Sequence, residues 1–265
     1  MIWSERLVPF DPFATRSITR LVANYHEHRT LRHAEDITAA FRLVRNSPLY
    51  RSRILKELAR LQFPSTSNHA CYHLIDRFFP LNSNKRYRVE WPDGFRERAA
   101  AVDKVMFVFL HQGGLFLAHA FREIGISAIR PVENPVRFRE QMREIDVDDA
   151  GQLPIAADVL SLVRALRLLK SYRSILVALD HMDSMRRYRF VSPSALELAA
   201  RRGLPTCLLY TEVTDEGVIR IHASDIAFRP DPIAAAEELI RFYTRLNAGF
   251  GHYTVASLAA GAVDG

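Results

Sequence analysis

Residues 104–110 read KVMFVFL, and His111-Gln112-Gly113-Gly114 follows without a break. An apolar run with large side chains at both strand parities needs cover on both faces, which predicts an interior strand of a mostly parallel sheet. Such a strand reaches its neighbours through crossover helices, and the flanking sequence supplies them. Residues 115–125 (LFLAHAFREIG) predict a helix stopped at Gly125, where a glycine takes the left-handed closing conformation. Residues 126–132 read as a strand, 136–145 (VRFREQMREI) as an amphipathic segment and 146–154 (DVDDAGQLP) as an acidic loop. Residues 156–170 predict a long helix with Leu160, Val163, Leu166 and Leu169 along one side, and 175–179 a second buried strand ending at Asp180. The order recurs through helix SALELAARRG, strand PTCLLYTEV, a turn at Asp215-Glu216-Gly217, strand VIRIHAS and helix IAAAEELIRFYTRL. This alternation predicts an α/β fold with a mostly parallel central sheet flanked by helices.

Upstream the pattern changes. From about residue 11 to residue 79 apolar positions recur at spacings of three and four, as in AEDITAAFRLVRN and SRILKELARLQF, with prolines at 48 and 64 punctuating the helices. A polar turn then leads to alternating Tyr87, Val89 and Trp91, a short strand entering a turn at Pro92-Asp93-Gly94, followed by a helix over 95–102. The reading is an N-terminal helical region, 1–85, packed on an α/β core, 86–265.

Composition fits one globular unit. Of 265 residues, 48% are apolar and 25% charged, which excludes disordered and fibrous classes. A net charge of +6 favours anionic partners without choosing among a phosphate-bearing cosubstrate, an acidic carrier protein, a membrane surface and nucleic acid. No nucleic-acid motif accompanies the charge, so no nucleic-acid partner is expected. The N-terminal MIWSERLVPFDPF has neither the apolar core of a signal peptide nor a membrane span, so a cytoplasmic location is expected, with at most peripheral contact at the inner membrane face. Cys71 and Cys207 form no Cys-x-x-Cys pair. His26, His28 and His33 lack accompanying cysteines or a His-Glu-x-x-His pattern, so no metal is expected. Walker and dinucleotide-binding glycine motifs are absent.

The chemistry-bearing residues cluster at predicted strand ends. Ligands of open α/β sheets bind beyond the carboxyl ends of strands, and His111 terminates one there, though from position alone it reads equally as a polar strand end hydrogen-bonded to a neighbouring loop. A neutral imidazole in that place is suited to take a proton from a hydroxyl or amine. Gln112, Gly113 and Gly114 open the next helix, where free N–H groups can hold an oxyanion. Asp180, His181 and Asp183 end a strand that reaches the same edge if it runs parallel to 104–110; Asp180 reads equally as a turn cap. Arg186, Arg187 and Arg189, with Arg130, are candidates to meet phosphates or an acidic surface, the three-arginine cluster reading equally as a solvated face. Ser192 and Ser194, flanking Pro193, read as helix caps. Cys207 reads as core, and Cys71 with His73 does not face as a pair.

The ordered set resembles the lysophospholipid-acyltransferase-like superfamily, and within it the bacterial lipid A lauroyl and myristoyl acyltransferases. KVMFVFLHQGGLF is similar to that family's strand followed by His-x4-acid, GISAIRPVENPVRFREQMRE to its second strand with Arg-Pro and Asn-Pro, and SILVALDHMD to a later strand ending in Asp. RFVSPSALELAARRGLPTCLLYTEV is similar to its small-residue helix, Gly-x-Pro and following strand. The likeness spans about residues 88–253. It implies an acyltransferase moving an acyl group from a carrier-protein or coenzyme A thioester to a hydroxyl or amine of a small-molecule or lipid acceptor, in lipid or specialised-metabolite biosynthesis. His111 would be the general base, and no tightly bound cofactor is implied beyond the thioester of phosphopantetheine or coenzyme A. Phe116 stands where the motif has its acid. Another acid replaces it, Asp180 being the first candidate; or a more nucleophilic acceptor needs less help; or catalysis is lost. In the last case the chain is a degenerate homologue whose more apolar pocket, walled by Phe116, binds an acyl chain, carrier protein or partner enzyme.

Overall fold

The computed structural model describes residues 34–78, 87–144, 151–158, 160–183, 185 and 187–256. The helical reading of 11–33, the polar turn over 79–86 and most of the acidic loop lie outside these residues. Three helices come first: α1 (Ala34–Asn46), α2 (Pro48–Arg60) and α3 (Ser67–Phe78). Strand β1 (Val89–Glu90) and helix α4 (Phe95–Ala101) follow. Next are β2 (Val105–Phe109), a 3₁₀ turn (His111–Gly113), α5 (Gly114–Glu123), β3 (Ala128–Val132), α6 (Pro135–Glu144), β4 (Gln152–Ala156), α7 (Ser161–Leu168) and β5 (Ser174–Ala178). The chain continues through β6 (Asp180–Met182), β7 (Tyr188–Val191), α8 (Ser194–Arg201), β8 (Thr206–Val213), β9 (Ile219–Ala223), α9 (Pro232–Leu246), a 3₁₀ turn (Ala248–His252) and β10 (Thr254–Val255).

The main sheet has seven strands in the order β1-β9-β8-β2-β5-β3-β4, parallel except for the β8–β9 pair. All five residues of β2 are buried, as its two-faced apolar run requires. Val105, Phe107 and Phe109 enter a core shared with α1, α3, α4 and α5, while Met106, Val108 and Leu110 enter a second core with α7, α8 and α9. The alternation of one strand thus sorts the helices into two layers.

The N-terminal helices belong to the first layer. Ile37, Ala40, Phe41 and Val44 form the buried stripe of α1 at helical spacing. Their grip on the sheet is the β8–β9 turn. Gly217 there has φ +80°, and a Cβ on it would stand 2.6 Å from the Phe41 ring, so only glycine fits. The Tyr72 hydroxyl of α3 donates to the Gly217 carbonyl, and Arg45 pairs with Asp215 at 2.6 Å.

Two local expectations are corrected. Residues 152–156 form edge strand β4 rather than the end of a loop and the start of a helix, and α7 is correspondingly short. Pro154 has no backbone donor to give, and an edge strand, paired with β3 on one side only, tolerates that. In addition, β10, β7 and β6 form a small second sheet, for which the sequence predicts no strands. No helix among the described residues is long and apolar enough to cross a membrane.

Candidate active site

Strands β2 and β5 run parallel in a register that sets Phe109 beside Ala178, and the Leu179 amide donates to the Phe109 carbonyl at 3.0 Å. The next residues in step are His111 and Asp180. His111 Nδ1 lies 2.8 Å from Asp180 Oδ1, and the His111 backbone N–H donates to Oδ1 at 2.9 Å and to Oδ2 at 3.2 Å. The Tyr253 hydroxyl donates to Oδ2 at 3.4 Å. Asp180 is 2% exposed, and these donors compensate the burial of its carboxylate.

An ionised carboxylate only accepts, so it fixes the His111 proton on Nδ1 and leaves Nε2 with its lone pair. Nε2 makes no hydrogen bond among the described residues. The Tyr188 ring covers the imidazole, with centroids 4.3 Å apart and planes 32° apart. Burial, reinforced by the charges of Asp180 and then Glu133, pushes the Tyr188 hydroxyl up to about 12, so it stays protonated.

His111 and Asp180 open into a cleft of about 720 Å³ at the carboxyl ends of β2, β5, β3 and β4. Arg130 lines the same cleft from β3. Its guanidinium sits 5.0 Å from the Phe138 ring and 5.5 Å from the Phe109 ring, and burial lowers its pKa to about 10, so it is a cation at neutral pH. His181 also lines the cleft; desolvation lowers its pKa, partly offset by the charge of Asp180. Gly113 ends the 3₁₀ turn that begins at His111, and Gly114 begins α5.

Several expectations change. Phe116 does not wall the cleft: it is fully buried, with its ring 5.7 Å from those of His69, Tyr72 and Tyr87. Position 116 is thus a seat for α3. The Gln112 side chain is also turned inward, 2% exposed, with neither amide atom hydrogen-bonded among the described residues. Asp183 does not line the cleft either, because its carboxylate closes the β6–β7 turn. It accepts from the Met185 and Arg187 amides and lies 3.4 Å from Arg187 Nε and 3.6 Å from Arg189 Nε. Those contacts hold its pKa below the usual carboxylate range, the Arg187 amide contributing most. Arg186 lies outside the described residues, as do His26, His28 and His33.

The cleft also holds residues that sequence reasoning missed. Ser192 and Ser194 line it with their hydroxyls 2.9 Å apart, while Pro193 rather than either serine is the α8 N-cap. Tyr188 and Tyr253 complete the surroundings of the dyad; Tyr188 opens β7 and Tyr253 precedes β10, short strands that local periodicity cannot pair. Cys71 and Cys207 are buried, and desolvation pushes both thiols up to about 12, which suits core residues. Among the described residues no group of three or more His, Cys, Asp or Glu side chains is placed to hold a metal ion. Compared with models of known protein families and with curated proteins, the chain matches none.

Proposed function

We propose that the protein is an acyltransferase working through a His111–Asp180 dyad. The observation that carries this reading is the 2.8 Å contact between Nδ1 and a buried carboxylate at the carboxyl edge of the sheet, with Nε2 left for the cleft. An acceptor hydroxyl or amine gives its proton to Nε2 while its oxygen or nitrogen attacks the thioester carbonyl. Asp180 stabilises the imidazolium that forms. The negative oxygen of the tetrahedral species is met by N–H groups at the start of α5 and by the Arg130 cation. Collapse breaks the carbon–sulfur bond, and the leaving thiolate takes the proton back from His111. The donor is a thioester of carrier protein or coenzyme A.

Two facts support this assignment over a pocket kept for binding alone. A carboxylate stands on the base although position 116 is aromatic, and Phe116 contributes nothing to the cleft wall. The test is release of free thiol from acyl-coenzyme A and acyl-carrier-protein donors with pooled amine and hydroxyl acceptors. Acceptor-dependent release that disappears in His111→Ala is the expected outcome. Donor binding with no release in the wild type would instead mean a binding protein.

A further inference from the structure

On the other side of Tyr188 lies a groove of about 540 Å³ whose charged lining, among the described residues, is wholly basic: Arg60, Arg187, Arg189 and His252. The three guanidiniums come from the end of α2 (Arg60) and from either side of Tyr188 at the start of β7 (Arg187 and Arg189), far apart in sequence. Each is held from behind by an acid. Glu57, 1% exposed, accepts two bonds of 3.1 Å from Arg60 Nε. The Asp183 side chain, 12% exposed, is shared by Arg187 and Arg189, whose side chains are each 42% exposed. Three cations thus stand over two carboxylates, with the acids inside and the cations outward. Arg60 is hydrogen-bonded in place, Arg187 and Arg189 are ion-paired to one shared carboxylate, and all three offer donors that match tetrahedral oxyanions.

We infer that this groove is a phosphate subsite for a substrate whose reacting end lies at His111. Tyr188 lines both the groove and the cleft and stacks on the imidazole, so a molecule passing its ring spans the two. The shared chemistry is a phosphate ester, brought either by the phosphopantetheine arm of the donor or by a phosphorylated acceptor. The inference rests on the acyl-transfer reading for placing the reacting end at His111 and for naming those two sources.

Equilibrium binding to the full chain tests it, by calorimetric titration with two matched pairs: phosphopantetheine against pantetheine, and phosphoethanolamine against ethanolamine. In at least one pair the phosphorylated member binds about tenfold or more tightly than its partner, and rising salt erodes the difference. The first pair assigns the phosphate to the donor, the second to the acceptor. Arg189→Gln removes the preference and Arg189→Lys keeps part of it; Asp183 retains Arg187 and two backbone amides in both, so the hairpin stays folded. Equal binding within both pairs, no binding of any probe, or a preference unchanged in Arg189→Gln would overturn the inference. The same titrations in His111→Ala separate the two proposals: phosphate preference persists there whether or not the wild type transfers acyl groups, and thiol release without phosphate preference leaves only the dyad standing.

Discussion

Two histidines occupy opposite surroundings in this molecule. His111 sits at the sheet edge with Nδ1 on a carboxylate and its ring open to a cleft. His69, in α3, is 1% exposed; its Nδ1 meets the Thr66 hydroxyl at 2.7 Å, and its Nε2 is buried without a hydrogen-bond partner among the described residues. Burial, aided by nearby His73, lowers the His69 pKa to about 3, so its ring stays neutral. The contrast teaches what makes an imidazole a base: a counter-charge for the proton it will accept, and a path for the group that gives it. Phe116 belongs to the surroundings of His69, 5.7 Å from its ring. The carboxylate therefore reaches His111 across the β2–β5 ladder and not along α5.

Removing that counter-charge has the largest expected effect. Asp180→Asn keeps the shape but turns an amide toward Nδ1, and turnover falls on the order of 10⁴-fold, by analogy with a triad that loses its acid. Thiol release followed beside circular dichroism checks this; a loss below about tenfold would mean that His111 acts without its orienting acid. The converse experiment places an acid where the resembled motif has one. Phe116→Asp puts a carboxyl among Tyr72, Tyr87 and His69 and removes a fully buried ring. Stability falls by roughly 3–5 kcal/mol or more in urea unfolding. In the Asp180→Asn background it restores no turnover, because position 116 faces α3; restored turnover would break the contrast between the two surroundings.

The parts legible in the sequence are those with local causes. The run KVMFVFL announced a two-faced strand, and all its positions in β2 are buried. Asp180 was legible through register: parallel strands ending together bring their next residues side by side. Strand β4 was hidden because Pro154 and the acidic residues before it read as loop, while its partner, β3, is supplied by the fold. Tyr253 reaches Asp180 from 73 residues away, and Arg60 shares a groove with Arg189 although helix and sheet separate them in sequence. No spacing rule encodes such meetings. Phe116 misled for a similar reason, since its neighbours lie on α3.

The His69 side of the comparison predicts a pH dependence. Its folded pKa, about 3, lies below the ordinary histidine value of 6.5. The unfolded chain therefore binds a proton that the folded chain refuses. The contribution of neutral His69 is complete above about pH 6.5 and is lost progressively toward pH 3, about 2 kcal/mol of it between pH 7 and pH 5. Urea unfolding at both values, for the wild type and His69→Gln, isolates the effect as a difference in slope. Equal slopes would show that water reaches His69 and that the two histidines differ less than their burial implies.

The smallest effect concerns how tightly the His111 side is built. Tyr253 is 6% exposed and donates to Asp180 Oδ2 at 3.4 Å, a long bond beside the three that the carboxylate takes from the two donors of His111. Burial and then the charge of Asp180 raise the tyrosine pKa, which keeps its proton in place as a donor. Tyr253→Phe removes only that donor and keeps the ring, whose centroid lies 5.0 Å from that of Phe250. A bond this long is worth about 1 kcal/mol at most, so kcat falls by no more than about fivefold. Because Tyr253 would act through Asp180 and not on the substrate, KM stays unchanged. If kcat holds while Tm drops, Tyr253 serves packing alone and the His111 amide with Nδ1 suffices to aim the carboxylate. If kcat falls by orders of magnitude, the dyad is a triad, and the turn that leads Tyr253 into the small sheet is part of the catalytic apparatus.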